Sequence, residues 1–494
     1  MKCVLEMLEK TCRQYPDKEA VEDIQSVVTF SRLVEMSKRI GSLLAEHISK
    51  NEPVIVIMEK SILSLASEFG VVYAGGFYIP VSIEQPVERV NQIISVLNAK
   101  IIVTDNTEKI KEFGFDGIVI NVMDGISHDI DEAKLGEIRK EAKSENPLYG
   151  IFTSGSTGTP KCVIINNGAV ISFIGHFTET FGINKDDVIA NQAPFDFDVS
   201  VKDIYSGLYT GAKVVLIPKK YFSMISNLLD FLIDKQATVI VWAVSAMCMV
   251  SGLRGFNYKV PDKLRLVMFS GEVMQPKQLR IWQDALPDVK FVNLYGPSEI
   301  TCNCTYHVVE RKLELGDVLP IGIPFDGREV FILDENNEII NKTDEEGEIC
   351  VAGESISDGY YNNTVETEKH FVTYNGKYVY KTGDMGYFGE NGELYFCGRR
   401  DFQIKHMGHR IELEEVDHAI SQIDGVSMVC CIYIPERNRI ISYYSGDIDK
   451  TELHKEAKSK LPGYMLPKKF IQVDTMPLNK NGKIDRNALR TMEG

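Results

Sequence analysis

At 494 residues, with 44% apolar side chains, the chain exceeds what one hydrophobic core usually organises, so at least two domains are expected. Its net charge of −16 argues against nonspecific binding to nucleic acid or anionic lipid, although a local basic patch can still receive an acidic partner. No apolar run reaches the roughly 20 residues of a membrane span. Met1 to Lys10 lacks the apolar core of a signal peptide and the ten cysteines are scattered, which together point to a reducing cytoplasm. Cys302-x-Cys304 and Cys430-Cys431 have no second pair at zinc-site spacing; both lie in apolar or strand-like runs and read as buried thiols.

In chain order, Val54 to Met58 reads as a buried strand, Ile62 to Tyr73 as a helix, and Val90, Ile93, Ile94 and Leu97 as a helical stripe before the strand Ile101 to Val103. This is the pattern of crossover units. Between the apolar runs Leu148, Ile151, Phe152 and Val163, Ile164, Ile165 lies a loop that packs Thr153, Ser154, Gly155, Ser156, Thr157, Gly158 and Thr159 into one turn before Lys161. Strand, loop, strand is the expected order. Glycines let the backbone approach a phosphate, hydroxyls add donors and Lys161 adds charge. It is not a Walker loop, because Pro160 precedes Lys161 and Cys162 follows it.

Further strands are expected at Val239 to Trp242 and at Leu264 to Phe269, the latter leading into Ser270-Gly271-Glu272. Ligands of open α/β sheets bind at such strand ends. After Pro320 the pattern becomes short strands with Asn, Asp and Gly turns, a β-rich subdomain over about 320–400. From Asp401, Phe402 to Met407 reads as a strand, Gly408-His409 as a turn, and Leu413, Val416, Ile420 and Ile423 as the buried stripe of a helix. The expected fold is therefore α/β: a core over 1–400 with doubly wound sheets and the β-rich subdomain, then a small α+β domain over 401–494. No internal repeat or low-complexity linker interrupts it.

The loop, Phe195-Asp196-Phe197-Asp198-Val199-Ser200-Val201, Asn293-Leu294-Tyr295-Gly296-Pro297-Ser298-Glu299, Tyr380-Lys381-Thr382-Gly383-Asp384, Gly398-Arg399-Arg400-Asp401 and Asn481-Gly482-Lys483-Ile484-Asp485-Arg486 occur in the order of core motifs of the adenylate-forming enzymes, which the chain resembles along nearly its whole length. Asn191-Gln192-Ala193-Pro194-Phe195, Met268-Phe269-Ser270-Gly271-Glu272-Val273 and Asp401-Phe402-Gln403-Ile404-Lys405 make it similar to amino-acid adenylation enzymes, particularly the free-standing D-alanine–D-alanyl carrier protein ligases. The resemblance implies activation of an amino acid with ATP and Mg2+ as an aminoacyl-AMP, then transfer to the phosphopantetheine thiol of a carrier protein. No carrier segment follows Arg486, so the expected acceptor is a separate protein.

It also implies roles. Thr153, Ser154, Gly155, Ser156, Thr157, Gly158 and Lys161 would hold phosphates, and Glu299 the magnesium ion, which needs only one or two protein carboxylates once phosphates bind it. Tyr295 matches the aromatic that stacks on adenine, with Asn293 beside it; Asp384 matches the acceptor of ribose hydroxyls, and Arg399 can add a hydrogen bond there. Lys483 would join acyl carboxylate to phosphate, with Lys480 as the decoy. Asp401 matches the hinge of a rotating C-terminal lid, and Gly408 the glycine where the pantetheine arm enters. Asp198, Val199, Lys202, Met268, Ser270, Leu294, Cys302 and Asn303 would surround the amino acid.

Three departures limit the resemblance, the first through loop geometry and the other two through the substrate. Cys162 stands where the family usually has glycine, Ser270 where the D-alanine ligases typically have cysteine, and Trp242-Ala243-Val244-Ser245-Ala246 replaces their proline-containing pocket wall. An ammonium at Lys202 either reaches water or meets an acceptor; pointing inward, it calls for a substrate side-chain acceptor with Ser270 and Asn303 as further hydrogen-bond partners, a polar or acidic amino acid as the alternative to D-alanine. An acyl- or aryl-CoA synthetase is the second reading, disfavoured by Asp198. A catalytically silent nucleotide-binding protein is the third, disfavoured by Glu299, Asp384 and Lys483.

Overall fold

The computed structural model describes residues 1–155, 159–400, 403–477 and 484–492. Its large N-terminal domain rests on two open sheets. In the first, Pro53–Ile57 is buried along its whole length, as a strand covered on both faces must be. It pairs in parallel with Phe77–Val81 on one side and Ile101–Thr104 on the other. The intervening helix Ile62–Tyr73 starts at Ser61, whose side chain accepts the Ser64 N–H, and is buried on nearly every side. Successive crossovers thus leave Pro53–Ile57 in opposite directions, which opens a crevice at its C-terminal end.

The second sheet repeats this arrangement. Val188–Asn191 has Lys213–Leu216 on one side and Val239–Ala243 on the other, all parallel. The sheet continues in parallel through Leu266–Ser270 and Lys290–Tyr295. One buried cluster runs from Val54 and Val56 of the first sheet through Phe173 and Phe177 to Val241, Met268 and Leu294 of the second. Alternation along Leu266–Ser270 sends Phe269 to a separate cluster with Trp242 and Trp282. The expected β-rich region is a five-stranded antiparallel sheet between Arg328 and Arg399.

The small C-terminal domain has a ribbon of Gln403–His406 and His409–Glu412, the helix Leu413–Ser421 and a three-stranded sheet. Ile411, Val416, Ile420, Tyr444, Leu453 and Phe470 form its own buried cluster.

Two local expectations need correction. The ribbon turns at Met407-Gly408, not Gly408-His409: both have positive φ, 54° and 83°, the geometry that matches strand twist, and His409 already pairs with His406. Cys302-x-Cys304 is a turn, not a strand, between the short helix Ser298–Ile300 and the strand Thr305–Val309. Thr301 and Cys302 have φ of 55° and 70°, a conformation held by the Thr301 hydroxyl donating to Ser355 O at 2.8 Å. The thiols at 302, 304, 430 and 431 are buried.

Candidate active site

A cavity of 2710 Å³ opens where strands of both sheets end, and Val199, Ser270, Leu294, Tyr295, Asp384 and Arg399 line it. Asn293 also lines it and donates its side-chain N–H to Pro320 O at 2.7 Å.

The Ser-, Thr- and Gly-rich segment 153–161 has the expected strand, loop, strand order. Pro147–Thr153 pairs antiparallel with Lys161–Asn166, and Thr153 faces Lys161. Ser156, Thr157 and Gly158 lie outside the described residues. Cys162 is fully buried and fits because Gly150 has no side chain: a Cβ there would meet the Cys162 Sγ at 2.6 Å. Residues of the small domain reach the loop. Ser154 Oγ donates to Arg410 O and accepts from Glu412 N, each at 2.9 Å, and Gly155 N donates to Glu415 Oε2 at 3.0 Å. Glu415 also pairs with buried Arg89. A carboxylate already sits on this backbone N–H, so the loop has the chemistry of an anion site. Lys161 pairs with Glu366 at 2.7 Å and lies over the Tyr360 ring.

Glu299 is 1% exposed and receives both Arg410 Nη1, at 2.8 Å and 2.9 Å, and the Tyr360 hydroxyl, at 2.7 Å. Burial alone would raise its pKa, but Arg410 and Tyr360 prevail and hold it at about 2. An oxygen ligand that stays charged fits a magnesium ion whose remaining positions are taken by phosphate and water. A pKa depressed from 4.5 contributes stability that is complete above that pH and lost as pH falls toward 2. The melting temperature of the unaltered chain is therefore expected to fall relative to that of Glu299→Gln across that window; parallel curves would refute the pairing.

On the cavity wall, the Tyr295 hydroxyl donates to Asp384 Oδ2 at 2.6 Å and Arg399 donates to Asp384 Oδ1. Lys405 lies over the Tyr295 ring, 5.5 Å from its centre. Burial pushes the Lys405 ammonium pKa down, opposed by Asp384.

Asp198 precedes the helix Val199–Thr210 and makes no capping bond with its half-buried side chain. Burial raises its pKa against the Ser298 hydroxyl and the Lys202 charge. Lys202 is 1% exposed, and its Nζ donates to Asn303 Oδ1 at 2.7 Å and to Ser270 Oγ at 3.4 Å. The ammonium is thus buried and bonded within the protein to the two side chains expected beside it. Cys302 is buried and its Sγ donates to Asp198 O at 3.1 Å. Met268 is fully buried in the core, on the same strand face as Ser270.

Gly408 donates its N–H to Glu272 Oε1 at 2.6 Å, and a Cβ there would meet the Ala243 Cβ at 3.2 Å. Asp401 and Lys483 lie outside the described residues. Sequence reasoning gave no role to Lys405, Arg410, Glu272, Tyr360, Glu415 or Lys60. One signal was available: Lys405 and Arg410 pair across the ribbon, and like charges so placed are unfavourable unless each finds an acceptor.

The AMP-binding enzyme family matches residues 8–361. A D-alanine–D-alanyl carrier protein ligase of Bacillus licheniformis is 32% identical over 506 residues, covering 99% of this chain and 99% of that protein. One from Bacillus cereus (strain Q1) is 31% identical, covering 98% of each. The structure of an artificially fused adenylation–PCP di-domain from Klebsiella oxytoca has a TM-score of 0.82 at 19% identity and covers 100% of this chain and 95% of that one, a likeness of fold. With Tyr295 and Asp384 paired on the wall of one cavity, the chain belongs to the AMP-binding enzyme family and is an AMP-forming ligase.

Proposed function

We propose that the chain activates an amino acid with ATP, releasing pyrophosphate, and passes the aminoacyl group to the phosphopantetheine thiol of a separate carrier protein. The observation that carries this reading is Asp198: a half-buried carboxylate beside the cavity, unused as a helix cap, whose charge a substrate ammonium would restore. A plain acid would bring no cation to it and leave it with the Ser298 hydroxyl and the more distant Lys202 charge. The names of the Bacillus relatives, which are carrier protein ligases, support the acceptor class.

Charge develops on phosphoryl oxygens during activation, so positive charge and positioning matter more than a protein nucleophile. Thr153, Ser154, Gly155, Ser156, Thr157, Gly158 and Lys161 hold phosphates, and Asn293, Tyr295, Asp384 and Arg399 bind the nucleoside. Glu299 holds Mg2+, which neutralises phosphate charge when bound. Lys483 bridges acyl and phosphate oxygens from the lid loop. Arg410 on Glu299 and Glu415 on Gly155 favour reading the present arrangement of the small domain, 401–494, as the transfer form, with Gly408 beside the arm's passage and Asp401 as hinge. Unpaired cysteines agree with a cytoplasmic location.

The substrate is D-alanine or a polar or acidic amino acid, with Val199, Lys202, Met268, Ser270, Leu294, Cys302 and Asn303 around its side chain. The inward Lys202 favours an acidic or amide group. An amino-acid panel in ATP–pyrophosphate exchange, followed by loading of a carrier, tests the whole reading. Lys202→Met is expected to shift the exchange profile toward small apolar amino acids. Robust D-alanine activation with aspartate, glutamate and their amides inert would restore D-alanine; exchange only with acids lacking an amine would favour the CoA synthetase, and no exchange a silent nucleotide-binding protein.

A further inference from the structure

We infer that Lys60 is a positioning residue for the amino-acid end of the site: reaching from one sheet to the other, its ammonium holds the chain segment that carries Asp198. The functional half of this inference rests on the amino-acid reading above. Lys60 follows Pro53–Ile57, the strand of the first sheet where the crossovers diverge. Its Nζ donates to the main-chain oxygens of Asn191, Gln192 and Ala193 at 3.1 Å, 3.0 Å and 3.4 Å, and to Asn191 Oδ1 at 3.0 Å. These residues end Val188–Asn191, the corresponding strand of the second sheet, and open the segment 192–198. One side chain therefore joins the two strand ends at which the crevices open.

The far side of the Asn191 amide completes the tie. Asn191 Nδ2 donates to Asp203 Oδ2 at 2.8 Å, and Asp203, fully buried, lies on the helix Val199–Thr210 that begins directly after Asp198. The amide thus turns its oxygen to an ammonium and its nitrogen to a carboxylate, an alignment in which each charge supports the other's hydrogen bond. Segment 192–198 is fixed at its entry by Lys60 and at its exit by Asp203. Gln192 Oε1 adds a contact, accepting the Ala243 N–H at 3.3 Å. An ammonium has three protons for the four oxygens around Lys60, and removing it leaves several strand-end carbonyls without that donor.

Lys60→Met keeps the length of the side chain and removes every donor. The amino-acid KM in ATP–pyrophosphate exchange is expected to rise at least about tenfold while the ATP KM stays within about twofold, with Lys60→Arg recovering most of the loss. Amide hydrogen exchange of residues 192–198 is expected to accelerate in Lys60→Met without matching change in the small domain. Should Lys60→Met fail to fold, Lys60→Gln, which keeps donors, takes its place with the same expected direction. Equal rises in both KM values, or unchanged protection of 192–198, would overturn the inference. A protein inert toward every amino acid would overturn the amino-acid reading alone, and hydrogen exchange would then decide the tie.

Discussion

Lys483→Ala is expected to lose ATP–pyrophosphate exchange by about 100-fold or more, the scale of removing one charge-stabilising donor, while acyl transfer from supplied acyl-AMP to the carrier persists. The reason is occupancy. In the arrangement described, Arg410 takes the Glu299 carboxylate and Glu415 takes the Gly155 N–H, so the small domain stands where magnesium and phosphate would be held. On the proposed reading, activation would require these contacts to open and Lys483 to enter, whereas transfer would use the face that carries Gly408. A residue serving one face should affect one half-reaction. Equal loss of both would count against the assignment.

Asp198→Ala is expected to cost about 3–5 kcal/mol in use of the amino acid, the penalty of removing one partner from a buried charge pair, with little change in ATP binding. Asp198 stands at a helix start where its carboxylate makes no capping bond and has the Ser298 hydroxyl as its hydrogen-bond partner. Lys202 is its charged neighbour and would still be bonded to Asn303 and Ser270 in the variant. Exchange assays with varied amino acid and varied ATP separate the two effects. An unchanged amino-acid requirement would favour activation of a plain acid.

Crossover units were legible because parallel strands such as Pro53–Ile57 are apolar throughout and their helices repeat at helical spacing. The phosphate loop, Glu299, Tyr295 and Asp384 were legible as ordered motifs. What escaped was pairing between distant segments. Nothing local to Arg410 says that it meets Glu299, and nothing local to Lys60 says that it meets Asn191, because both contacts depend on how separately folded layers dock. The turn at 301–302 escaped for a different reason: Thr and Cys favour extended backbone, and only the surrounding contacts impose positive φ. Lys202 was half legible, since its charge announced a need for acceptors but not the direction in which it would find them.

With Gly155 in its proposed phosphate role, its contact with Glu415 would make the small domain a tethered competitor of nucleotide. Such a competitor is not diluted with the protein, and its effective concentration depends on the hinge and not on the solution. Measured ATP affinity is then the intrinsic affinity reduced by the fraction of molecules in which that carboxylate has withdrawn. Arg89, buried beside Glu415 and outside the nucleotide contacts, helps set that fraction. On that proposal, nucleotide affinity would in part be a property of residues that never touch the nucleotide.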